Sequence, residues 1–247
     1  MEITKSGIAG TVVVLIVVVV CVRLGLWQLD RRDQRLERNT AVAERMAEEP
    51  MALAAIPADT VGITHRRVTV RGRYDHDRSF VLGARSHRGV PGVYVFTPMR
   101  LHDGAILVNR GFVPSPDAAT VEMEALSRPP EASVTGMLLA FPDVPITPAT
   151  EPFQTRWFRL DGQSIRAQYP YDLATLYLLD TGPEGASNDG STGSVDPLPL
   201  GPPELDAGSH LSYAVQWFSF ATIFLVGWLA LLLRRSGKTA TSSGTGR

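Results

Sequence analysis

Cysteine is nearly absent: Cys21 is the single one among 247 residues. That excludes an intrachain disulfide, a CxxC pair and a thiolate cluster for zinc, copper or iron–sulfur. A membrane-anchored copper chaperone would carry paired cysteines and is set aside on that ground. An excess of either charge is missing too. Lys and Arg number 24 against 25 Asp and Glu, for a net charge of -1, so there is no basic footprint for nucleic acid. The motifs GxSxG, HExxH, the P-loop and GxGxxG do not occur. Asp75-His76-Asp77 offers three donors, but neighbours in extended chain point to opposite faces, which suits a polar strand end better than a metal site. His65, His87 and His102 are expected at the surface. No nucleophile stands with a base, so the protein is expected not to be an enzyme, and a membrane-tethered hydrolase is disfavoured.

Long apolar runs are what the sequence does have. Residues 211–233 are 23 in a row without a formal charge, roughly 34 Å of helix and enough for a bilayer core of about 30 Å. Arg234, Arg235 and Lys238 follow it, while no Lys or Arg precedes it back to Arg166. That bias places the C-terminus in the cytoplasm and His210 at the opposite surface. Residues 6–29 form a second span, whose one charge, Arg23, can snorkel to the interface beside Trp27. No small-x-small cleavage site follows it, so a retained anchor is expected rather than a signal peptide. Arg31, Arg32, Arg35 and Arg38 beyond this span favour the opposite orientation, but Asp30, Asp33 and Glu37 partly offset them. The unopposed asymmetry of the second span decides.

The expected layout is a short cytoplasmic N-terminus (1–5), transmembrane helix 1 (6–29), an extracytoplasmic domain (30–180), an acidic Gly/Pro-rich linker (181–209), transmembrane helix 2 (211–233) and a basic cytoplasmic tail (234–247). Residues 30–49, rich in Arg, Glu and Ala, read as a helix continuing out of the membrane, and 51–63 as a loop. Strand patterns follow. RRVTVRGRY alternates with Val68 and Val70 on one face, and Gly72 marks a bulge or a close approach. SFVLGARS is a second strand. GVYVFTPMRL and AILVNRGFVP form a hairpin about His102-Asp103-Gly104. ASVTGMLLAF and DLATLYLLD complete about six strands, and Asp161 can cap a short helix reaching Gln168. The fold class is two transmembrane α-helices flanking an extracytoplasmic α+β domain, a mostly antiparallel sheet or partly closed barrel. Arg71, Arg73, Arg85, Arg88 and Arg110 suit either a carboxylate-binding surface or exposed strand positions.

His210, Tyr213, Trp217, Phe220, Phe224 and Trp228 step by three or four and form one helical stripe. An imidazole at the mouth of an aromatic stripe suits axial ligation of a flat apolar macrocycle such as haem. The same residues also suit an interfacial aromatic belt beside a solvated histidine. Spacing leaves both open.

Three separated stretches resemble the Surf1 family of cytochrome c oxidase assembly proteins (Shy1 in yeast). They are LGLWQLDRRDQR at 24–35, RSHRGVPGVYVFTPMRLHDGAILVNRGFVP at 85–114, and HLSYAVQWFSFA at 210–221. Phe112 stands where the family usually has Trp, and Arg35 where Lys is common. The resemblance implies an integral membrane assembly factor for haem-copper oxidase that assists delivery of haem a to subunit I. It also implies transient haem a binding with His210 as the iron ligand, and Tyr213 and Trp217 as contacts to the ring or a partner helix. Expected partners are the membrane, oxidase subunit I and other assembly factors, without nucleic acid. The lack of an Arg-rich transit segment favours the bacterial plasma membrane over the mitochondrial inner membrane. The alternative is a scaffold that binds oxidase subunits and holds no haem.

Overall fold

The computed structural model describes residues 5–53, 62–126, 130–182, 197–203 and 205–241. Residues 1–4, 183–196 and 242–247, parts of the expected N-terminus, linker and tail, lie outside the described residues. The chain divides into two compact units, Met1–Ala41 with Leu205–Arg247, and Val42–Glu204.

The first unit is built on two long helices. Helix α1, Lys5–Ala47, has 43 residues, roughly 65 Å and about twice a bilayer core. It stops three residues before Pro50, which disfavours helix in the residue ahead of it. Beyond residue 29 its polar surface is laced by local bonds, such as Gln34 to the Asp30 carboxylate at 2.9 Å. Its partner is named α3 because a short helix of the second unit precedes it; α3 is His210–Thr241.

The two helices run antiparallel, with Thr11 beside Trp228, Gly25 beside Phe218 and Gln28 beside His210. Small residues make that approach possible. A Cβ on Gly25 would lie 2.7 Å from the Phe218 ring, and one on Gly10 would run into Trp228. Cys21, Ala214 and Ala221 are buried in the same seam, and the Trp228 indole donates to the Thr11 hydroxyl at 3.2 Å. The outward faces carry exposed Ile8, Val13, Ile16, Ile223, Val226 and Leu229. Both helices are long and apolar enough to cross a membrane.

The second unit is a closed barrel. Its strands are β1 Met51–Leu53, β2 Arg67–Tyr74, β3 Phe80–His87, β4 Val90–Leu101, β5 Gly104–Pro114, β6 Glu131–Ala140, β7 Arg156–Trp157 and β8 Leu173–Asp180, with helix α2, Gly162–Ala167, between the last two. The ring runs β2-β6-β8-β5-β4 and returns to β2 through Arg73↔Arg100 and Tyr74↔Met99. A ring of five strands cannot alternate direction all the way round. The one parallel pair is β5 with β8, and the other four pairs are antiparallel. Closure brings β2 so near β4 that a Cβ on Gly72 would strike the Arg100 carbonyl, the close approach expected there.

Strand β2 keeps the alternation of its sequence, with Val68 and Val70 inside the barrel beside Met99, Val108 and Leu178. Strand β5 does not alternate. It is buried from Ala105 to Phe112 because its outer face is also covered, by a layer including Trp157, Leu160 and Ile165. Asp161 caps α2, accepting from Gln163 N at 3.1 Å and Ser164 N at 3.2 Å. Burial opposes its charge, but these bonds, with Thr147 N and the Ser164 hydroxyl, outweigh it and hold the carboxyl below its ordinary range.

Three expectations need correction. Residues 51–53, read as loop, form β1 in parallel register with β2 (Met51↔Val68). His65 and His87 are half-buried, not surface groups; burial lowers the His65 pKa first, and Arg45 lowers it further. Arg110 is 1% exposed rather than an exposed strand position. It is the extra residue of a bulge, since Val95 pairs with Gly111 and Phe96 with Asn109, and a bulge redirects the side chain it inserts. The Arg110 guanidinium donates to the Leu126 carbonyl and lies 5.6 Å from the Tyr74 ring.

Candidate functional site at the start of helix α3

His210 is the first residue of α3 and is half-buried against α1. Its Nδ1 donates to the side-chain oxygen of Gln28 at 2.9 Å. An amide oxygen only accepts, so Nδ1 carries the proton of this bond, and the tautomer with that one ring proton has its lone pair on Nε2. Among the described residues Nε2 has no hydrogen-bond partner. The chain just ahead of the helix is shaped around that edge. Gly208 has φ +72°, and a Cβ there would lie 3.3 Å from His210 Cδ2 and 3.6 Å from Nε2. Glycine therefore both permits the turn and keeps the ring edge open.

The turn is tied to α1. The Asp206 carbonyl accepts from Arg35 Nε at 2.8 Å and Asn39 Nδ2 at 3.0 Å, while the Asp206 carboxylate accepts from Gly208 N at 2.8 Å. Ser209 O receives the Ser212 hydroxyl at 2.7 Å and Tyr213 N at 3.2 Å.

The aromatic stripe is divided. Trp228 turns into the helix seam. Tyr213, Phe220 and Phe224 are 50%, 38% and 48% exposed, and half-buried Trp217 meets the Phe220 ring edge-on at 6.0 Å. The stripe flanks the seam, with His210 at one end. The geometry suits a single ring-nitrogen ligand with aromatic surface beside it. An anchored Nδ1, an open Nε2 and a glycine where a side chain would intrude fit an axial ligand to haem iron.

Residues 15–222 match the family model described as the SURF1 family. The chain belongs to the SURF1 family. A SURF1-like protein of Monosiga brevicollis is 31% identical over 248 residues, covering 90% of this chain and 87% of that one. Surfeit locus protein 1 of Homo sapiens is 26% identical, over 90% of this chain and 77% of its own. A SURF1-like protein of Rickettsia bellii is 25% identical over 86% of each. The matched SURF1 region opens within α1 and closes within α3, so it takes in Gln28, Arg35, His210, Tyr213 and Trp217.

Sequence reasoning reached His210, Tyr213 and Trp217 but not Gln28, Arg35, Asp206 or Gly208. Gln28 and Arg35 both lie in LGLWQLDRRDQR, and HLSYAVQWFSFA begins with His210. Two stretches at opposite ends of the sequence thus converge at one place. The middle stretch serves the barrel. Its Asn109-Arg110-Gly111 forms the bulge, where Asn109 Oδ1 accepts from Gly111 N at 3.1 Å and Phe112 bridges to Leu198. The five arginines do not gather. Arg71 and Arg73 are exposed on β2, Arg88 lies in the β3–β4 turn and Arg110 is buried. Arg85 lines a groove of about 680 Å³ with Arg159, Tyr94, Phe158 and Tyr177. Among the described residues no cluster of three His, Cys, Asp or Glu forms, and Asp75 instead accepts from the Tyr171 hydroxyl at 2.9 Å.

Proposed function

We propose that this SURF1-family protein is a membrane-anchored assembly factor for haem-copper (cytochrome c) oxidase. In this reading it holds haem a transiently through His210 and passes it to subunit I. The observation that carries the haem part is the Gln28–His210 bond, because it fixes the tautomer with its lone pair on Nε2. Family membership supports the oxidase part. Release of cargo favours one ligand from one helix over a cage, and Tyr213 and Trp217 supply flat apolar surface on the same flank. The two helices cross the membrane with both termini cytoplasmic, and the barrel lies outside the cytoplasm of a bacterial cell, where it meets the oxidase subunits. No covalent step is assigned to it.

The test is a spectrum. Full-length protein purified from cells that make haem a should carry a haem absorption band, and His210→Ala should abolish or shift it. Protein that arrives without haem, yet still supports oxidase assembly, would instead be a scaffold. Bound haem indifferent to His210→Ala would remove the ligand assignment.

A further inference from the structure

The surroundings of His210 also bear on what kind of molecule approaches its open nitrogen. Gly208 lies between two groups. A Cβ on it would be 3.6 Å from His210 Nε2 and 3.7 Å from Arg35 Cδ. The ring edge and the Arg35 side chain therefore border the same space. Arg35 is exposed, and among the described residues it is held by one bond, from Nε to the Asp206 carbonyl at 2.8 Å. No carboxylate among the described residues makes an ion pair with it. The Asp206 carboxylate is turned back onto Gly208 N. The other arginines of this stretch are engaged locally: Arg31 on Gln34 and 5.8 Å from the Trp27 ring, Arg32 on Asp33, and Arg38 on the Gln34 carbonyl. Arg35 is thus a guanidinium anchored through Nε beside the His210 ring edge, with no acidic partner among the described residues.

We infer that Arg35 is the anion partner of the His210 site and pairs with a carboxylate carried by the ligand. The inference rests on the reading of His210 as a haem ligand, and it narrows the cargo to a porphyrin with free acid side chains. A guanidinium suits this role because its planar donors match a carboxylate, and its charge persists at any working pH. The chain's polarity fits as well. Arg35 lies seven residues beyond Gln28 on α1, roughly 10 Å along the axis, in the charged part of the helix. Tyr213 and Trp217 lie the other way along α3 from His210. An amphipathic ring would place its acid edge toward Arg35 and its apolar body along the aromatic flank.

The experiment compares two probes on the full-length protein in detergent, protohaem and protohaem dimethyl ester, titrated by the absorption change of the bound iron. Wild type should prefer the free acid by on the order of tenfold, the scale of one charge-assisted bond. Arg35→Gln should erase that preference by weakening the acid form alone, and Arg35→Lys should restore part of it. Asn39→Ala loosens the same Asp206 anchor without removing charge and should keep the preference, as should Arg38→Gln. Equal affinities in wild type, or a preference that survives Arg35→Gln, would overturn the inference while leaving His210 as ligand. Absence of any His210-dependent spectrum with either probe would overturn the underlying reading, and this inference with it.

Discussion

Gln28 accepts a hydrogen bond from His210 at 2.9 Å across 182 residues of sequence. That one bond joins the two long helices at the point where α3 begins. It also decides which imidazole nitrogen is left for a ligand. Partners of this kind orient metal-binding histidines and raise their basicity, and their loss costs about 10- to 100-fold in affinity elsewhere.

Gln28→Leu should therefore weaken haem binding by about tenfold or more while leaving the barrel folded. Gln28→Glu keeps an acceptor and should retain binding. Titration by absorbance checks both. Unchanged affinity in the leucine variant would mean that the tautomer is fixed by something else.

The proposed topology rests on the unopposed positive charges that follow the apolar run within α3, Arg234, Arg235 and Lys238. A reporter fused within residues 181–209 should be extracytoplasmic, and one fused after Thr241 cytoplasmic. Finding the 181–209 fusion in the cytoplasm would invert the layout and place His210 on the wrong side for the proposed role.

Gly111 should tolerate no side chain. Its φ is +124°, and a Cβ would strike the Leu198 carbonyl. The backbone strain alone is about 1–3 kcal/mol, before any steric clash. Gly111→Ala should lower the melting temperature of the barrel clearly, whereas Gly89→Ala, also at positive φ but with open space around it, should lower it less. Equal losses would leave the Leu198 contact without a role.

Much of the barrel could be read from residues close in sequence. The hairpin turn at His102-Asp103 and the Asp161 cap are local devices, each decided within a few residues. The features that escaped are non-local. Strands β1 and β7 have three and two residues, too few for a period, and exist because β2 and β3 offer an edge to pair with. Ring closure depends on Arg73 meeting Arg100, which no local pattern announces. Arg110 read as an outward strand position because alternation is counted residue by residue, and the bulge breaks the count. At the candidate site the sequence displayed His210, but not Gln28 or Arg35, because only the pairing of the helices brings them together.

Alkaline stability should fall in a defined window. Burial first, then the neighbouring Tyr94, pushes the Tyr177 phenol up to about 12. Burial raises Tyr169 and Tyr171 as well. An unfolded tyrosine ionises near pH ~10, so above that pH the unfolded chain gives up protons that the folded barrel keeps. The stabilisation is whole below about pH 10 and is lost as pH rises toward about 12. Thermal melts across that range should show the fall, and Tyr177→Phe should make it shallower. A melting temperature flat to the upper end would mean that the phenols ionise freely in the fold.

The central claim, that the His210 ring nitrogen holds haem iron, is tested most directly by replacing the ring and then supplying it from solution. His210→Gly in the full-length protein should lose the haem band, and added imidazole should restore it, because the small ligand can enter the space the side chain left. A variant that keeps the wild-type band without imidazole would contradict the claim.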